Sequence, residues 1–168
     1  GVPVVTRMGV ISPTTYSRWD VNGDSADIAH VLLPGYDSTL FAAGGGDNYA
    51  IDVRDSIVAI LLGGLGDPVS LWKSTDNGEN WTYTDVDSFP FKGQRLAAQL
   101  LLSGDTVSTN DGSVDVMIDA TGKVHAFWGL GRVLGAEPDG ADTTGFSVFP
   151  GQSQIRHWKE GDATSRIA

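Results

Sequence analysis

The sequence predicts an all-β protein made of short strands joined by tight turns. Its 168 residues include 22 glycines, and only 19% of them are Asp, Glu, Lys or Arg. Short apolar runs alternate with clusters of Gly, Asn, Asp, Ser and Thr, which are the residues that tight turns between strands require. The low content of charged residues argues against long solvated helices and disordered tails. The length fits a single region over residues 1–168.

Pairs of apolar runs separated by short turns predict two β-hairpins. In the first, the turn is Arg54-Asp55-Ser56, and in the second it contains Thr121-Gly122. Segment 94–102 is consistent with a short helix or a buried strand, and a long Gly/Asp/Pro-rich loop is predicted over about 129–151. The predicted strands cover residues 49–53, 57–62, 69–73, 82–86, 113–119, 123–128 and 154–159.

Two parts of the chain resemble each other. The run 58–64 aligns with 124–130 at an offset of 66 residues, and Trp72-Lys73 aligns with Trp158-Lys159 at an offset of 86 residues. The residues by which the second offset exceeds the first fall in the predicted loop over about 129–151. Repeats with insertions in one loop are typical of architectures in which equal units stack on each other, because one unit cannot bury both of its faces.

The charge of the chain restricts its partners. Eleven basic and twenty-one acidic residues leave a formal net charge of −10. Such a chain repels phosphate groups, and its Lys and Arg residues are scattered, so we expect no nucleic-acid partner and no binding to anionic membranes. No apolar run is long enough for a membrane-spanning helix. Cysteine is absent, which excludes disulfides and thiolate chemistry.

Residues 74–81 carry the most specific motif, in which Ser74, Asp76, Gly78 and Trp81 match the pattern S/T-x-D-x-G-x-x-W. In such a turn the Asp carboxylate accepts backbone N–H groups, and Gly takes a positive φ that a Cβ atom would disfavour. The indole folds back under the loop as an apolar plug. We therefore predict a structural turn between two strands.

This motif resembles the Asp-box of the bacterial neuraminidase repeat family, which comprises β-propellers found in sialidases and many other exported proteins. The resemblance implies blades of antiparallel four-stranded sheets, with the Asp-box between the third and fourth strands. About three blades would fit in this chain, with candidate pieces at 1–40, 41–92 and 93–168. Closed rings of the family commonly have about six or more blades. We therefore expect a partial propeller, completed by further residues or a partner chain.

The same resemblance raises the question of enzymatic activity. Sialidases of this family need three arginines that clamp the substrate, a Tyr nucleophile paired with Glu, an Asp acid/base and an Arg-Ile-Pro motif near the start. Here Arg-Ile occurs only at Arg166-Ile167, which is followed by Ala168, and no spacing singles out a Tyr and Glu pair. We therefore assign no catalytic residue and expect no glycoside hydrolysis by this segment alone.

A calcium site is the one cofactor that the sequence suggests. Asp20, Asn22 and Asp24 occupy alternate positions, as at the start of a D-x-N-x-D calcium loop. Ser25 stands where such loops have glycine, and Val31 stands where they end in Glu. These departures favour an Asx-rich turn without a metal ion.

Three functions are consistent with the sequence. The first is a non-catalytic binding, adhesion or interaction propeller of an exported bacterial protein, with a glycan or a protein as ligand. Trp128 and Trp158 are then candidates for stacking on a sugar, although tryptophans on strands usually pack between sheets. The second is a part of a sialidase-like glycoside hydrolase, and the third is secreted cargo or a structural partner of an outer-membrane secretion or assembly complex. All three place the protein outside the cell or at the bacterial surface.

Overall fold

The computed structural model describes residues 14–19, 24–37, 40–41, 48–90, 106–135, 146–148 and 154–168. Within these ranges the chain forms eleven β-strands and no helix, so no described helix has the length and apolar character needed to cross a membrane. The strands are β1 (Thr15–Trp19), β2 (Ala26–Leu32), β3 (Tyr49–Arg54), β4 (Ile57–Leu62), β5 (Val69–Ser74), β6 (Thr82–Asp87), β7 (Val107–Ile118), β8 (Val124–Gly135), β9 (Phe146–Val148), β10 (Gln154–Lys159) and β11 (Arg166–Ile167).

The strands form three sheets in which all neighbours are antiparallel. Sheet A is β1-β2, and sheet B has the order β3-β4-β5-β6. Sheet C has the order β7-β8-β10-β11, and β9 pairs with β8 outside this path. The prediction of an all-β chain with antiparallel sheets of four strands is confirmed for the described residues. The predicted segment 94–102 lies outside them.

The second hairpin is longer than predicted. β7 begins at Val107, and β8 continues to Gly135, so the prediction of a loop from residue 129 is wrong. The composition of residues 104–113 predicts a polar turn, but Thr109 and Asn110 belong to β7 and have buried partners in the loop between β4 and β5. Asn110 Nδ2 donates to the Asp67 carbonyl at 2.6 Å, and Thr109 Oγ1 accepts from Gly66 N at 2.9 Å.

The two central strands of sheet B, β4 and β5, are buried on both faces. This explains why β4 is almost continuously apolar where a half-exposed strand would alternate. One face, with Val58, Ile60 and Trp72, packs against sheet A and the segment that follows it. The other face, with Ala59 and Leu61, packs against the inner face of sheet C. The three sheets are therefore stacked in chain order.

Sheets B and C repeat each other in structure as well as in sequence. Trp72 on the third strand of sheet B pairs with Ile60 on the second. Trp158 on β10 pairs with Ala126 on β8, which lies 66 residues after Ile60. The two sequence matches thus describe the same pair of neighbouring strands in two consecutive sheets.

Polar contacts hold sheets B and C together around their shared apolar core. Asp52 Oδ2 accepts from Ile118 N at 2.7 Å, and Arg54 Nε donates to the Ile118 carbonyl at 3.0 Å. Lys73 Nζ lies 2.7 Å from Glu160 Oε2, which also accepts from Val124 N. Burial alone would raise the pKa of Glu160, but the hydrogen bonds from Lys73 and Val124 outweigh it and lower that pKa.

Replacing Lys73 by methionine is expected to lower the free energy of unfolding by about 1.5–3 kcal/mol, since half-buried Glu160 loses its charged partner. Lys123 serves as the matched control because it is exposed in the adjacent turn, and Lys123→Met should change stability by less than about 0.5 kcal/mol. Urea titrations of the two variants measure the difference. Equal losses would show that the contact between Lys73 and Glu160 does not stabilise the interface.

Candidate functional site

The turn between β5 and β6 has a closed network of hydrogen bonds. Ser74 Oγ donates to Asp76 Oδ1 and accepts from Gly78 N, both at 2.8 Å. Asp76 Oδ1 accepts from Asn80 N at 2.9 Å, and Oδ2 accepts from Asn80 Nδ2 at 2.7 Å. The Asn80 side chain, followed by its backbone N–H and by Ser74, lowers the pKa of Asp76 to about 2. This carboxylate is engaged within the turn, so it is poorly suited to act as a general base.

The glycine and tryptophan of this turn contact sheet A. Gly78 has a φ of +86°, and its carbonyl accepts from Trp81 Nε1 at 3.0 Å. Trp81 is half-buried, and its ring meets the Tyr16 ring edge-on with centroids 5.0 Å apart. Tyr16 and Trp81 thus share the space beneath the loop, where the sequence predicted the indole as a plug. Arg18 NH1 also donates to the Asn77 carbonyl at 2.7 Å.

Residues 160–167 form a second turn of related geometry, in a segment whose sequence lacks the Asp, Gly and Trp spacing of the motif. Asp162 follows Trp158 by four residues, as Asp76 follows Trp72. Asp162 Oδ2 bonds Arg166 at 3.1 Å, four residues on, just as Asp76 bonds Asn80. The spacing of Trp and Asp is the signal in the sequence, but Glu160 stands at the position of Ser74 and Thr164 at that of Gly78.

The remaining predicted site residues do not form one site: the two tryptophans lie in the core, and the candidate calcium residue Asp24 lies on the surface. Trp128 and Trp158 are 1% and 7% exposed in the core between sheets B and C, so neither ring is free to stack on a ligand. Asp20 and Asn22 lie outside the described residues, whereas Asp24 is exposed. In the described ranges no three His, Asp or Glu side chains are arranged to hold a metal ion.

One tyrosine lies near residue types that a sialidase site contains. Tyr16 is close to Arg18 and Glu79, and Arg18 NH2 bonds Glu79 Oε1 at 3.0 Å. However, burial raises the pKa of Tyr16, although the Arg18 charge opposes this effect. The Tyr16 hydroxyl lies 3.5 Å from the Asn77 carbonyl. A tyrosine nucleophile needs an adjacent base or a lowered pKa; here the pKa of Tyr16 is raised, and the nearby Glu79 carboxylate accepts a hydrogen bond from Arg18.

A cavity of about 210 Å³ lies between sheets B and C, at the strand ends opposite the turn 74–81. Burial raises the pKa of Asp87, and both the Trp128 N–H and the Arg156 charge oppose this rise without cancelling it. We call this space the inter-sheet cavity. Its lining includes Asp67, Asp87, Ser108, Asn110, Arg156 and Ser165.

A chain of hydrogen-bonding side chains crosses the outer face of sheet C. Asp119 Oδ2 lies 3.2 Å from His125 Nε2 and 3.2 Å from Lys159 Nζ. His125 Nδ1 lies 2.9 Å from His157 Nε2, and the His157 ring stacks on Phe127. Hydrogen bonds from the Thr121 hydroxyl and the Lys123 backbone lower the pKa of Asp119.

The pKa of His157 is lowered, first by burial and then by the charges of His125 and Arg166. The folded state therefore binds this proton more weakly than the unfolded state, whose pKa is near 6.5. We expect full stability above about pH 6.5 and a falling melting temperature as the pH drops below it. Thermal melts across this range should show a flatter dependence for His157→Gln.

The exposed His30 on β2 provides the matched control, and His30→Gln should retain the pH dependence of the parent chain. An unchanged dependence in His157→Gln would contradict the assignment.

Comparison of the chain with models of protein families, with curated proteins and with solved structures finds no match.

Proposed function

We propose that the chain is part of a β-propeller-type, non-catalytic interaction module of an exported bacterial protein, with a glycan or a protein as ligand. In this proposal the turn 74–81 is an Asp-box and sheets B and C are successive blades. The observation that carries it is the repeat of sheet B in sheet C. The four strands have the same order in both sheets, and Trp72 of sheet B and Trp158 of sheet C occupy equivalent positions.

The direction of stacking supports this proposal. Val58 and Ile60 of β4 face sheet A, and their equivalents Val124 and Ala126 of β8 face sheet B. Each sheet therefore packs the same face against the sheet that precedes it. The blades of a propeller stack in the same way, because each blade packs the same face against the preceding blade.

The same equivalence indicates where the ring continues. In sheet B, the side chains of Ala59 and Leu61 are covered by sheet C. The equivalent residues of sheet C are His125 and Phe127. On the outer face of sheet C, Met117 is exposed in the described structure. We infer that a further sheet of the ring, from additional residues or from a partner chain, packs on this face.

The non-catalytic assignment is supported by the state of the candidate groups. Asp76 is engaged within its turn, and Tyr16 has a raised pKa. Neither state suits the acid, base or nucleophile that glycoside hydrolysis requires.

The test uses the full-length protein on an array of immobilised glycans and in an assay with fluorogenic sialosides and other aryl glycosides. Binding without turnover is the expected result. Turnover that is lost on mutation of an arginine and a tyrosine of this chain would favour the glycosidase alternative. Absence of any ligand together with co-purification in an outer-membrane complex would favour the cargo alternative.

A further inference from the structure

We propose that proton uptake by His125 and His157 releases the sheet that packs on the outer face of sheet C. This inference rests on the proposed function, which places a further sheet on that face, and it assigns the regulation of the contact. The occupant of the face is a β-sheet with an apolar surface and a carboxylate at its edge. Acidification below about pH 6.5 opens the stack of sheets at this contact.

The contact between sheets B and C shows what the outer face of sheet C is built to meet. The two sheets align residue by residue through Trp72 and Trp158. The face of sheet B that sheet C covers has buried aliphatic side chains at three positions: Ala59, Leu61 and Leu71. The equivalent positions of sheet C hold His125, Phe127 and His157. Imidazoles therefore replace aliphatic side chains at two positions of a face that is otherwise built for the same contact.

A lysine at the edge of the face indicates the chemistry of the partner sheet. Lys73 of sheet B reaches across to two turns of sheet C, where its Nζ lies 2.7 Å from Glu160 Oε2 and donates to the Gly122 carbonyl at 2.8 Å. Lys159 occupies the equivalent position of sheet C, and its Nζ lies 3.2 Å from Asp119 Oδ2 of the same sheet. An ammonium group has three donors, so a carboxylate of the partner sheet would repeat the bridge between sheets B and C.

The two imidazoles are joined by a hydrogen bond that accommodates only one proton. His125 Nδ1 lies 2.9 Å from His157 Nε2, and the centroids of the stacked rings are 5.1 Å apart. His125 Nε2 lies 3.2 Å from Asp119 Oδ2. When both rings are protonated, both facing nitrogens are N–H donors and no acceptor remains between them. The second proton therefore breaks this bond and brings two like charges together.

The charges around the pair disfavour the second proton. Burial, followed by the charges of His125 and Arg166, lowers the pKa of His157. Lys159 acts in the same direction, and Asp162 opposes it. The β7 side of the same face carries two carboxylates: Asp115 and Asp119. A covering sheet removes water from the pair and so lowers the pKa of His157 further.

The excluded proton sets the direction of the pH effect. The covered face excludes it, whereas the open face takes it up closer to the ordinary imidazole pKa of about 6.5. Packing of the partner sheet is therefore strongest above about pH 6.5, and it weakens by up to about tenfold per pH unit as the pH falls. The contact between sheets B and C has Ala59 and Leu71 at these positions, so it should stay closed over the same range.

Met117 provides the readout, because it is paired with His125 on the outer face and is 46% exposed in the described structure. The full-length protein is treated with dilute hydrogen peroxide at about pH 7.5 and about pH 5, and mass spectrometry measures the conversion of Met117 to its sulfoxide. The expected result is protection at the higher pH and a rate at least about tenfold faster at the lower pH, with unchanged circular dichroism. Free methionine, added as a standard, corrects for any effect of pH on the reagent.

A variant that copies sheet B tests the role of the histidines. His125→Ala combined with His157→Leu gives the outer face the side chains that sheet B has at these positions, and Met117 should then be protected at both pH values. His157→Gln, which forms hydrogen bonds but takes no charge, should give the same result in a less altered face. The exposed His30 on β2 is the matched control, and His30→Gln should respond as the parent chain does. Equal acceleration at low pH in His157→Gln and the parent chain would refute the proposal.

Lys159→Met tests the chemistry of the partner sheet. Loss of the bridge should raise the rate of Met117 oxidation at about pH 7.5 by about threefold or more. Lys123→Met is the control, because Lys123 is exposed in the turn before β8. An unchanged rate in Lys159→Met would overturn the assignment of a carboxylate to the partner.

The same assay separates this proposal from the proposed function. Protection of Met117 at both pH values in the parent chain would refute proton control and leave the covering sheet in place. Oxidation of Met117 at the same high rate at both pH values would show that no sheet covers this face, which refutes the stacking inference together with its regulation. Protection at the higher pH alone, abolished as a pH effect by His157→Gln, supports both.

Discussion

Trp72→Ala is expected to lower the free energy of unfolding by about 3–5 kcal/mol, the largest effect of any single substitution considered for this chain. Trp72 is fully buried, and its ring lies 5.1–6.3 Å, centroid to centroid, from those of Tyr36, Phe41 and Tyr83. Its Nε1 donates to the Pro34 carbonyl at 2.8 Å. The substitution therefore leaves a cavity and an unpaired carbonyl where sheet B meets the segment after sheet A.

Urea unfolding followed by far-ultraviolet circular dichroism measures this loss. Trp19 on β1 is the matched control because it is 59% exposed, and Trp19→Ala should change stability by less than about 0.5 kcal/mol. A loss below about 1 kcal/mol for Trp72→Ala would mean that the segment after sheet A does not pack on sheet B as described.

Gly78→Ala is expected to cost about 2–5 kcal/mol, from two separate causes. A residue with a Cβ atom at a φ of +86° is strained by about 1–2 kcal/mol. The added Cβ would also collide with the ring of Tyr16, which is itself buried. Displacing a packed side chain in this way typically costs about 1–3 kcal/mol.

Gly161 separates these two causes. It has a φ of +98° in the turn before β11, and a Cβ atom there would meet no atom within 4 Å. Gly161→Ala should therefore cost only the backbone strain, about 1–2 kcal/mol. If both alanine variants lose the same stability in denaturant titrations, then contact between Gly78 and Tyr16 contributes nothing.

Local sequence patterns predicted much of sheet B. β3 and β4 pair along their whole length, from Tyr49 opposite Leu62 to Arg54 opposite Ile57, and the predicted turn joins them. β10 has the predicted bounds, 154–159. These elements are local, since apolar runs, turn residues and the positive φ of Gly78 depend on neighbours in the chain. The same is true of the hydrogen bonds that Ser74 and Asp76 make within eight residues.

Contacts between distant residues decided what the local patterns could not. Thr109 and Asn110 are typical turn residues, yet they belong to β7, where Gly66 N and the Asp67 carbonyl from the loop between β4 and β5 bond their side chains. The sequence made Trp128 a candidate for stacking on a sugar, yet the packing of sheet C on sheet B buries its side chain.

By itself, then, the sequence determined the strand periodicity, the turn at 74–81 and the repeat that relates β4 to β8. The tertiary structure alone decided which face of each sheet is covered, and that Asp87 and Arg156 line one cavity between sheets B and C. The physical reason is that burial and pairing of a polar group depend on atoms supplied by remote parts of the chain. A strand pattern specifies two faces, but only the stacking of sheets specifies what each face contacts.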